Sequence, residues 1–246
     1  VGSAVAGSDV VLREGSPIGE TGIVVDAIFR ARLEAGGNWF AVGDDPLDDD
    51  WAVRNGSLVA ATGRPVITGE PGLTWGNAFQ AFHGNGRGDW VLAGRTPDPD
   101  ATRDDVLALG DRRIILREGD PVDLDGNGQF DDDAFIGRGN PDSPAFAPHD
   151  VVLTDDGQLF AIVKLRNAAG EDLGGFGPGG EALIRVQVVL CPEDIDDNDG
   201  VVGIGDLLTL LANWGTDGPG AAIAVPRDVV DVADLLALLS AWGPCD

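Results

Sequence analysis

Val10-Val11-Leu12-Arg13-Glu14-Gly15-Ser16-Pro17-Ile18 returns almost intact as Ile114-Ile115-Leu116-Arg117-Glu118-Gly119-Asp120-Pro121-Val122. A weaker copy stands between them, Leu58-Val59-Ala60-Ala61-Thr62-Gly63-Arg64-Pro65-Val66. In each, an apolar run the length of one short strand ends at Gly and Pro, the residues that turn a chain. Ahead of the second and third copies lies another shared string, Gly37-Asn38-Trp39-Phe40-Ala41-Val42-Gly43 and Gly88-Asp89-Trp90-Val91-Leu92-Ala93-Gly94. A third version of it is Asp156-Gly157-Gln158-Leu159-Phe160-Ala161-Ile162. Short apolar or alternating runs at 24–33, 39–42, 114–116, 151–153 and 183–190 are separated by Gly, Asn, Asp and Pro, and read as strands joined by hairpins.

Units of about fifty residues with about four short strands each fill residues 1–190. One small sheet buries its faces only by stacking on neighbours, so this period is the pattern of β-propeller blades. A β-sandwich with accidental internal similarity is the alternative. The Leu-Arg-Glu-Gly-Asp-Pro string also resembles the blade repeats of large secreted bacterial propeller proteins. About three units are legible, and closed propellers usually take four or more. The expectation is therefore a mainly β, propeller-like repeat domain truncated at its N-terminus, a reading in keeping with the lack of any Met and of a signal peptide at Val1.

The 246 residues carry 42 acidic against 16 basic side chains, a formal charge of −26, and a single lysine, Lys164. That balance excludes nucleic acid as a natural partner. No apolar run approaches the length of a membrane span. Asp gathered in Gly- and Asn-rich stretches either faces water or surrounds a hard cation, and calcium is the natural candidate.

A second kind of repeat fills residues 191–246. Asp206-Leu207-Leu208-Thr209-Leu210-Leu211-Ala212-Asn213-Trp214-Gly215 returns as Asp234-Leu235-Leu236-Ala237-Leu238-Leu239-Ser240-Ala241-Trp242-Gly243. Each copy predicts a short helix with an Asp N-cap and a Gly C-cap, apolar over most of its circumference, so that the two helices pack on each other. Cys191 and Cys245 bracket this segment. A disulfide between them would clasp it shut and add roughly 4 kcal/mol by loop-closure entropy, in an oxidising, extracytoplasmic compartment; two reduced buried cysteines are the bland alternative.

Ahead of the first helix stands Asp194-Ile195-Asp196-Asp197-Asn198-Asp199-Gly200-Val201-Val202-Gly203-Ile204-Gly205, a loop of the EF-hand kind. Loop, duplicated helix and flanking cysteines together resemble a bacterial type I dockerin. The resemblance implies a small α-helical calcium-binding domain that docks onto a cohesin-like protein or tethers the chain to a cell-surface component. Carried over position by position, it makes Asp194, Asp196, Asp199, the Val201 carbonyl and Asp206 the calcium ligands. The stretch from Asp194 to Asp206 is thirteen residues where the family has twelve, so one residue bulges, and Asp197 substitutes if the bulge lies early. The segment before Asp234 has Arg227 where the family has a ligand, so no calcium is expected there, and Asp231 and Asp234 read as helix-terminal acids.

A separate loop inside the repeats, Asp123-Leu124-Asp125-Gly126-Asn127-Gly128-Gln129-Phe130-Asp131-Asp132-Asp133, places Asp123, Asp125, Asn127 and Asp131 at calcium-loop positions one, three, five and nine. Its twelfth position is Ala134, with Asp132 or Asp133 able to reach in; a solvated acidic hairpin is the alternative. Other signals are discounted. Arg87-Gly88-Asp89 sits in a glycine-rich hairpin turn, and the same glycines lack the helix and Lys of a phosphate loop. His83 and His149 are the only histidines, and Glu14, Glu118 and Glu181 recur within strand motifs, which points to structure. Trp51, Trp75 and Trp90 are candidates for stacking on polysaccharide if exposed, with core packing expected for Trp39 and Trp90.

The expectation for the whole is an extracellular, non-catalytic binding or attachment protein. The alternative is a dockerin-targeted carbohydrate-active enzyme with a carboxylate pair in a cleft.

Overall fold

A computed structural model describes residues 9–33, 37–67, 72–86, 89–140, 143–174, 180–188, 193–195, 201–216, 223–224 and 229–244, without the side chains of 147–150. The chain is mainly β. Sheet 1 runs β1 (Ala27–Leu33), β2 (Trp39–Asp44), β3 (Asp50–Arg54), β4 (Ser57–Ala61). Sheet 2 runs β5 (Phe79–Gly84), β6 (Trp90–Arg95), β7 (Asp105–Leu109), β8 (Arg113–Arg117). Both are antiparallel meanders whose spatial order is their sequence order. Sheet 3 has β10 (Phe146–Leu153), β11 (Gln158–Arg166) and β12 (Gly180–Gln187), with the two-residue β9 (Phe135–Ile136) on the β10 side of β11. Among the described residues no sheet closes on itself.

The sequence repeats are structural repeats. In all three copies of the first string, Gly has a positive φ and its N–H donates to a carbonyl at or shortly before the opening of the next sheet: Gly15 to Val25, Gly63 to Trp75, Gly119 to Ile136, each at 2.7 Å. The Pro two residues on makes an isolated bridge each time, Pro17 with Val24, Pro65 with Thr74, Pro121 with Phe135. Glycine is needed there because an L side chain resists that φ, and Pro fits because the bridge needs no N–H from it.

Sheets stack through their apolar faces. Val42, Ala52 and Ala60 of sheet 1 pack with Phe79, Leu92 and Val106 of sheet 2. The other face of sheet 2, including Val91, Leu107 and Leu109, packs with Phe146, Leu159 and Val163 of sheet 3. Side chains alternate across a strand, so neighbours Val106 and Leu107 serve different interfaces. Carboxylates tie one sheet to the next. Asp50 accepts the N–H of Phe79 at 2.6 Å, and Asp105 accepts that of Ala145, just before β10, at 2.7 Å.

The helical part holds α1 (Ile204–Ala212), α2 (Val232–Ser240) and a two-stranded ribbon of β13 (Val201–Val202) with β14 (Gly243–Pro244). The expected N-cap is corrected: Gly203 is the N-cap of α1 and Asp206 stands three residues in. In α2 the N-cap is Asp231, which accepts the N–H of Ala233 at 2.7 Å, with Asp234 at the third position. The C-cap of α1 is Asn213 rather than Gly215.

Candidate functional site

The helical part is built twice at a spacing of 28 residues. Asp206 accepts the N–H of Ile195 at 2.6 Å and of Gly203 at 2.7 Å, which folds the loop back onto the start of α1. Asp234 does the same for α2, accepting from Ile223 at 2.6 Å, Ala224 at 2.7 Å and Asp231 at 2.8 Å. The halves clasp each other as well: Gly215 after α1 donates to Val230 at 2.9 Å, and Gly243 after α2 pairs with Val202. Val202, Leu210, Val230 and Leu238 are buried together between the halves.

Asp194 and Asp206 are both buried, at 3% and 1% exposure, and the residue after Asp194 is bonded to Asp206. Carboxylates buried out of water require compensating donors or a cation. Carboxylate oxygens suit a hard ion such as calcium, and Val201, the expected carbonyl ligand, lies on β13 between them in sequence. Asp196, Asp197 and Asp199, and with them the one-residue bulge, lie outside the described residues, as do Cys191, Cys245 and Arg227. The register fixed by Asp206 and Asp234 sets Ala222, Ala224 and Arg227 at the places of Asp194, Asp196 and Asp199. None of those side chains offers an oxygen to a cation.

The expectation that leucines cover the contact between helices holds for one face only. Ile204, Leu208, Leu211 and Trp214 on the first half are exposed at 68, 62, 48 and 42%. Their counterparts Val232, Leu236, Leu239 and Trp242 are exposed at 58, 62, 49 and 46%.

In the acidic loop between β8 and β9, Asp123 accepts N–H groups from Gly126 and Gly128 at 2.8 Å and Asn127 at 3.2 Å. The Gly128 bond is the main cause holding its carboxyl below the usual range. Asp132 accepts from Leu124 at 2.6 Å and Asp125 at 3.2 Å. Asp123, Asp125 and Asp132 present oxygens within 4.8 Å of one another, a spacing one cation can span. Asn127 turns its side-chain oxygen to the N–H of Gln129, and Asp131 is not part of the cluster. The sequence placed Asp131 at the ninth position and left Asp132 or Asp133 to reach in for the missing twelfth ligand; the folded loop brings Asp132 beside Asp123 and Asp125.

A third acidic group was not anticipated. Asp104, Asp105 and Glu118 are buried between sheets 2 and 3 with oxygens within 4.8 Å of one another. Arg95 Nε lies 3.2 Å from Asp104 and 3.6 Å from Asp105. No group among the described residues donates a hydrogen bond to either Glu118 oxygen, and with its proton retained Glu118 donates to the Asp104 carboxylate. Burial, then the neighbouring Asp105 and Asp104, pushes Glu118 up to about 8. Asp104 is pushed up to about 6, chiefly by burial against the pull of Arg95. A guanidinium and a retained proton thus meet the charge of this cluster. The doubled acid before each third strand, Asp49-Asp50 and Asp104-Asp105, was the signal available in sequence.

His83 lies on β5, where its Nδ1 accepts the N–H of Leu153 at 3.2 Å. Burial, aided by Arg32, depresses it to about 4, so it is neutral and structural at ordinary pH. The side chain of His149 lies outside the described residues. Glu14 is exposed, and Glu181 on β12 pairs with Lys164. The glycine-rich stretch around residue 86 is the turn between β5 and β6, closed by Asn85 N–H to the Asp89 carbonyl at 2.9 Å; Arg87 and Gly88 lie outside the described residues. The sugar-stacking expectation is overturned for Trp51 and Trp75, which are 0% and 2% exposed in the core. Trp39 and Trp90 are half-buried.

Comparison with family models, curated proteins and solved structures finds no match to this chain.

Proposed function

We propose that this chain is an extracellular, non-catalytic attachment protein: a propeller-like β-repeat region over 1–190 joined to a dockerin-like, calcium-dependent docking module over 191–246. The observation that carries this reading is the doubled apolar face of α1 and α2. Two equivalent helices, each with the tryptophan that follows it, expose an aliphatic residue, two leucines and an indole to water at a spacing of 28 residues. Contiguous exposed apolar surface of that kind marks a protein contact. Calcium held at Asp194 and Asp206, with Asp196 and Asp199, orders the loop that carries α1. The partner is a cohesin-like protein or a comparable cell-surface component. Polysaccharide association then follows from the partner or from the β region.

The test is calorimetric titration of the full chain with calcium, followed by its binding to an immobilised type I cohesin with calcium and with chelator. Saturable calcium uptake that falls by one site in Asp206→Ala, and cohesin capture lost in Leu208→Asp with Leu236→Asp, are expected. Absence of that calcium site ends the metal reading. Capture unaffected by the helix substitutions ends the docking reading.

A further inference from the structure

Sheets 1 and 2 each finish with a fourth strand, β4 and β8, and sheet 3 does not: among the described residues nothing pairs with the outer edge of β12. A groove of about 900 Å³ runs along that edge. Ala182, Leu183 and Ile184 of β12 form one wall, and Leu116 of β8 with Val122 and Phe130 forms the other. A fourth strand of sheet 3 would lie there, beside its own third strand and next to the fourth strand of sheet 2.

At the opposite end of the stack, residues 10–13 have the sequence of a fourth strand and belong to no sheet. They match Ile114-Ile115-Leu116-Arg117 of β8 and run into the same hairpin, Gly15 bonding Val25 as Gly119 bonds Ile136. Val10 and Val11 are 79% and 63% exposed. Leu12 packs against the cluster of Ile18, Val25 and Trp51 on the outer face of sheet 1, and among the described residues no core cluster joins sheet 1 to sheet 3, so these residues stand apart from β12 of their own chain.

We propose that residues 10–13 of one copy form the fourth strand on β12 of a second copy. Each chain then gives one strand and receives one. Used twice, such a head-to-tail contact closes a two-fold dimer. The three stacked sheets among the described residues of each copy make six, a number within the range over which stacked sheets close into a ring. Main-chain bonds along an open strand edge supply the affinity, as in other strand additions.

The register follows from the two complete sheets. Trp51 faces Ala61 as Val106 faces Arg117, Ala52 faces Ala60 as Leu107 faces Leu116, and Val53 faces Leu58 as Ala108 faces Ile114, with the same one-residue bulge. Glu181 opposite Lys164 on β11 corresponds to Asp105 opposite Arg95 on β6. Ala182 therefore faces Arg13, Leu183 faces Leu12, and Ile184 faces Val10 with Val11 in the bulge. Arg185 then faces Asp9, an opposite-charge pair across the strands. Leu183, 68% exposed in the single chain, is covered.

Light scattering on the full chain tests this. The expected mass is twice 25.4 kDa. Leu12→Pro disables the donor strand. Leu183→Pro disables the receiving edge, because the carbonyl at the Glu181 position faces outward, as Asp105's does toward Glu118, and main-chain groups two residues on face the same way. Each variant alone is expected to be monomeric, and mixing the two is expected to restore a dimer through the one intact contact. Asp9→Arg and Arg185→Asp provide a milder check: each weakens the dimer severalfold and the double variant recovers it. A chain that stays monomeric at every concentration overturns the proposal. So does a dimer that survives all of these variants, or one dissolved only by Leu208→Asp with Leu236→Asp, which places the contact on the helices.

Discussion

Asp234 repeats, 28 residues on, the bonds that Asp206 makes: each carboxylate takes one N–H from the residue three before it and one from the residue eleven before it. Hydrogen bonds to a charged group contribute about 1.5–3 kcal/mol each, so either acid replaced by Ala loses several kcal/mol locally. The two differ in the residues that stand twelve and ten positions before them in sequence, Asp194 and Asp196 in the first half and Ala222 and Ala224 in the second. Asp206→Ala and Asp234→Ala are expected to lower the melting of the helical part comparably in chelator. In an Asp123→Ala background, only Asp206→Ala removes the remaining calcium-induced rise, read by scanning calorimetry. A calcium response lost in Asp234→Ala and kept in Asp206→Ala would falsify the assignment.

The loop at Asp123 makes a separate prediction. Asp132 is held inward by the N–H groups of Leu124 and Asp125, beside Asp123 and Asp125, whereas Asp131 is outside that cluster. Partners in the shell around ligands alone cost about tenfold in metal affinity when removed, and a ligand costs at least as much. Asp132→Asn is therefore expected to weaken calcium at this loop tenfold or more, and Asp131→Asn to leave it within about twofold. Calorimetry of both variants in an Asp206→Ala background decides it; equal losses would sink the choice of Asp132.

These assignments show where the sequence was legible. The hairpins at Gly15, Gly63 and Gly119 were readable because positive φ and a bond-free Pro nitrogen demand particular residues. The helix starts were half readable. Asp206 looks like a cap, yet the cap is Gly203, which has no side chain, and the acid bonds back to it from inside the helix. The exposed leucines of α1 were hidden because its Leu-rich pattern permits several buried faces. The choice is made by Val202 and Val230, residues outside the helices. The Asp104, Asp105 and Glu118 cluster was only half legible for a similar reason, since the doubled Asp shows in the sequence but meets Glu118 only once the register of β7 with β8 is known. Trp51 and Trp75 were misplaced because alternation shows that a strand has two faces without showing which face is covered.

That buried cluster sets a pH dependence with a definite sign. Glu118 is raised from its ordinary 4.5 to about 8, so between those values the folded chain holds a proton that the unfolded chain has released, and stability falls as pH rises. Asp104, raised to about 6, adds to the same slope at lower pH. His83, depressed from 6.5 to about 4, acts oppositely, since the unfolded chain binds the extra proton there and stability rises with pH through that window. Above pH 6.5 only Glu118 of the three still titrates toward its folded value. Thermal midpoints are therefore expected to drop from pH 6.5 to 8.5 and to flatten in Glu118→Gln, which keeps a neutral donor in place. At pH 8.5 the variant is expected to melt higher by a few degrees, about 2–4 °C for each kcal/mol relieved. A wild-type midpoint that climbs over this range would contradict the raised Glu118.

Gly43 and Gly94 stand at equivalent places in β2 and β6, and both admit a ring where a side chain would be. A Cβ on Gly43 would lie 1.9 Å from the Ala27 carbonyl oxygen and 2.4 Å from the Trp51 ring. One on Gly94 would lie 2.8 Å from Phe79 and 3.1 Å from Trp75. The first obstacle includes backbone of the paired strand β1, and Trp51 is fixed by its indole N–H on the Asp44 carbonyl at 2.6 Å. Neither can move without opening the sheet. Overpacking of this kind costs about 1–3 kcal/mol or more, so Gly43→Ala is expected to lower the melting temperature of the β region by about 5 °C or more. Gly94→Ala meets only side chains and is expected to cost less. Gly72 has no positive φ and no atom within 4 Å of the place an alanine methyl would take, and so provides the control. Gly72→Ala is expected to be neutral or slightly stabilising by restricting the unfolded chain. Differential scanning calorimetry on the three variants reads the order directly, and a Gly43→Ala chain as stable as Gly72→Ala would mean that Trp51 and β1 are not packed around Gly43 as described.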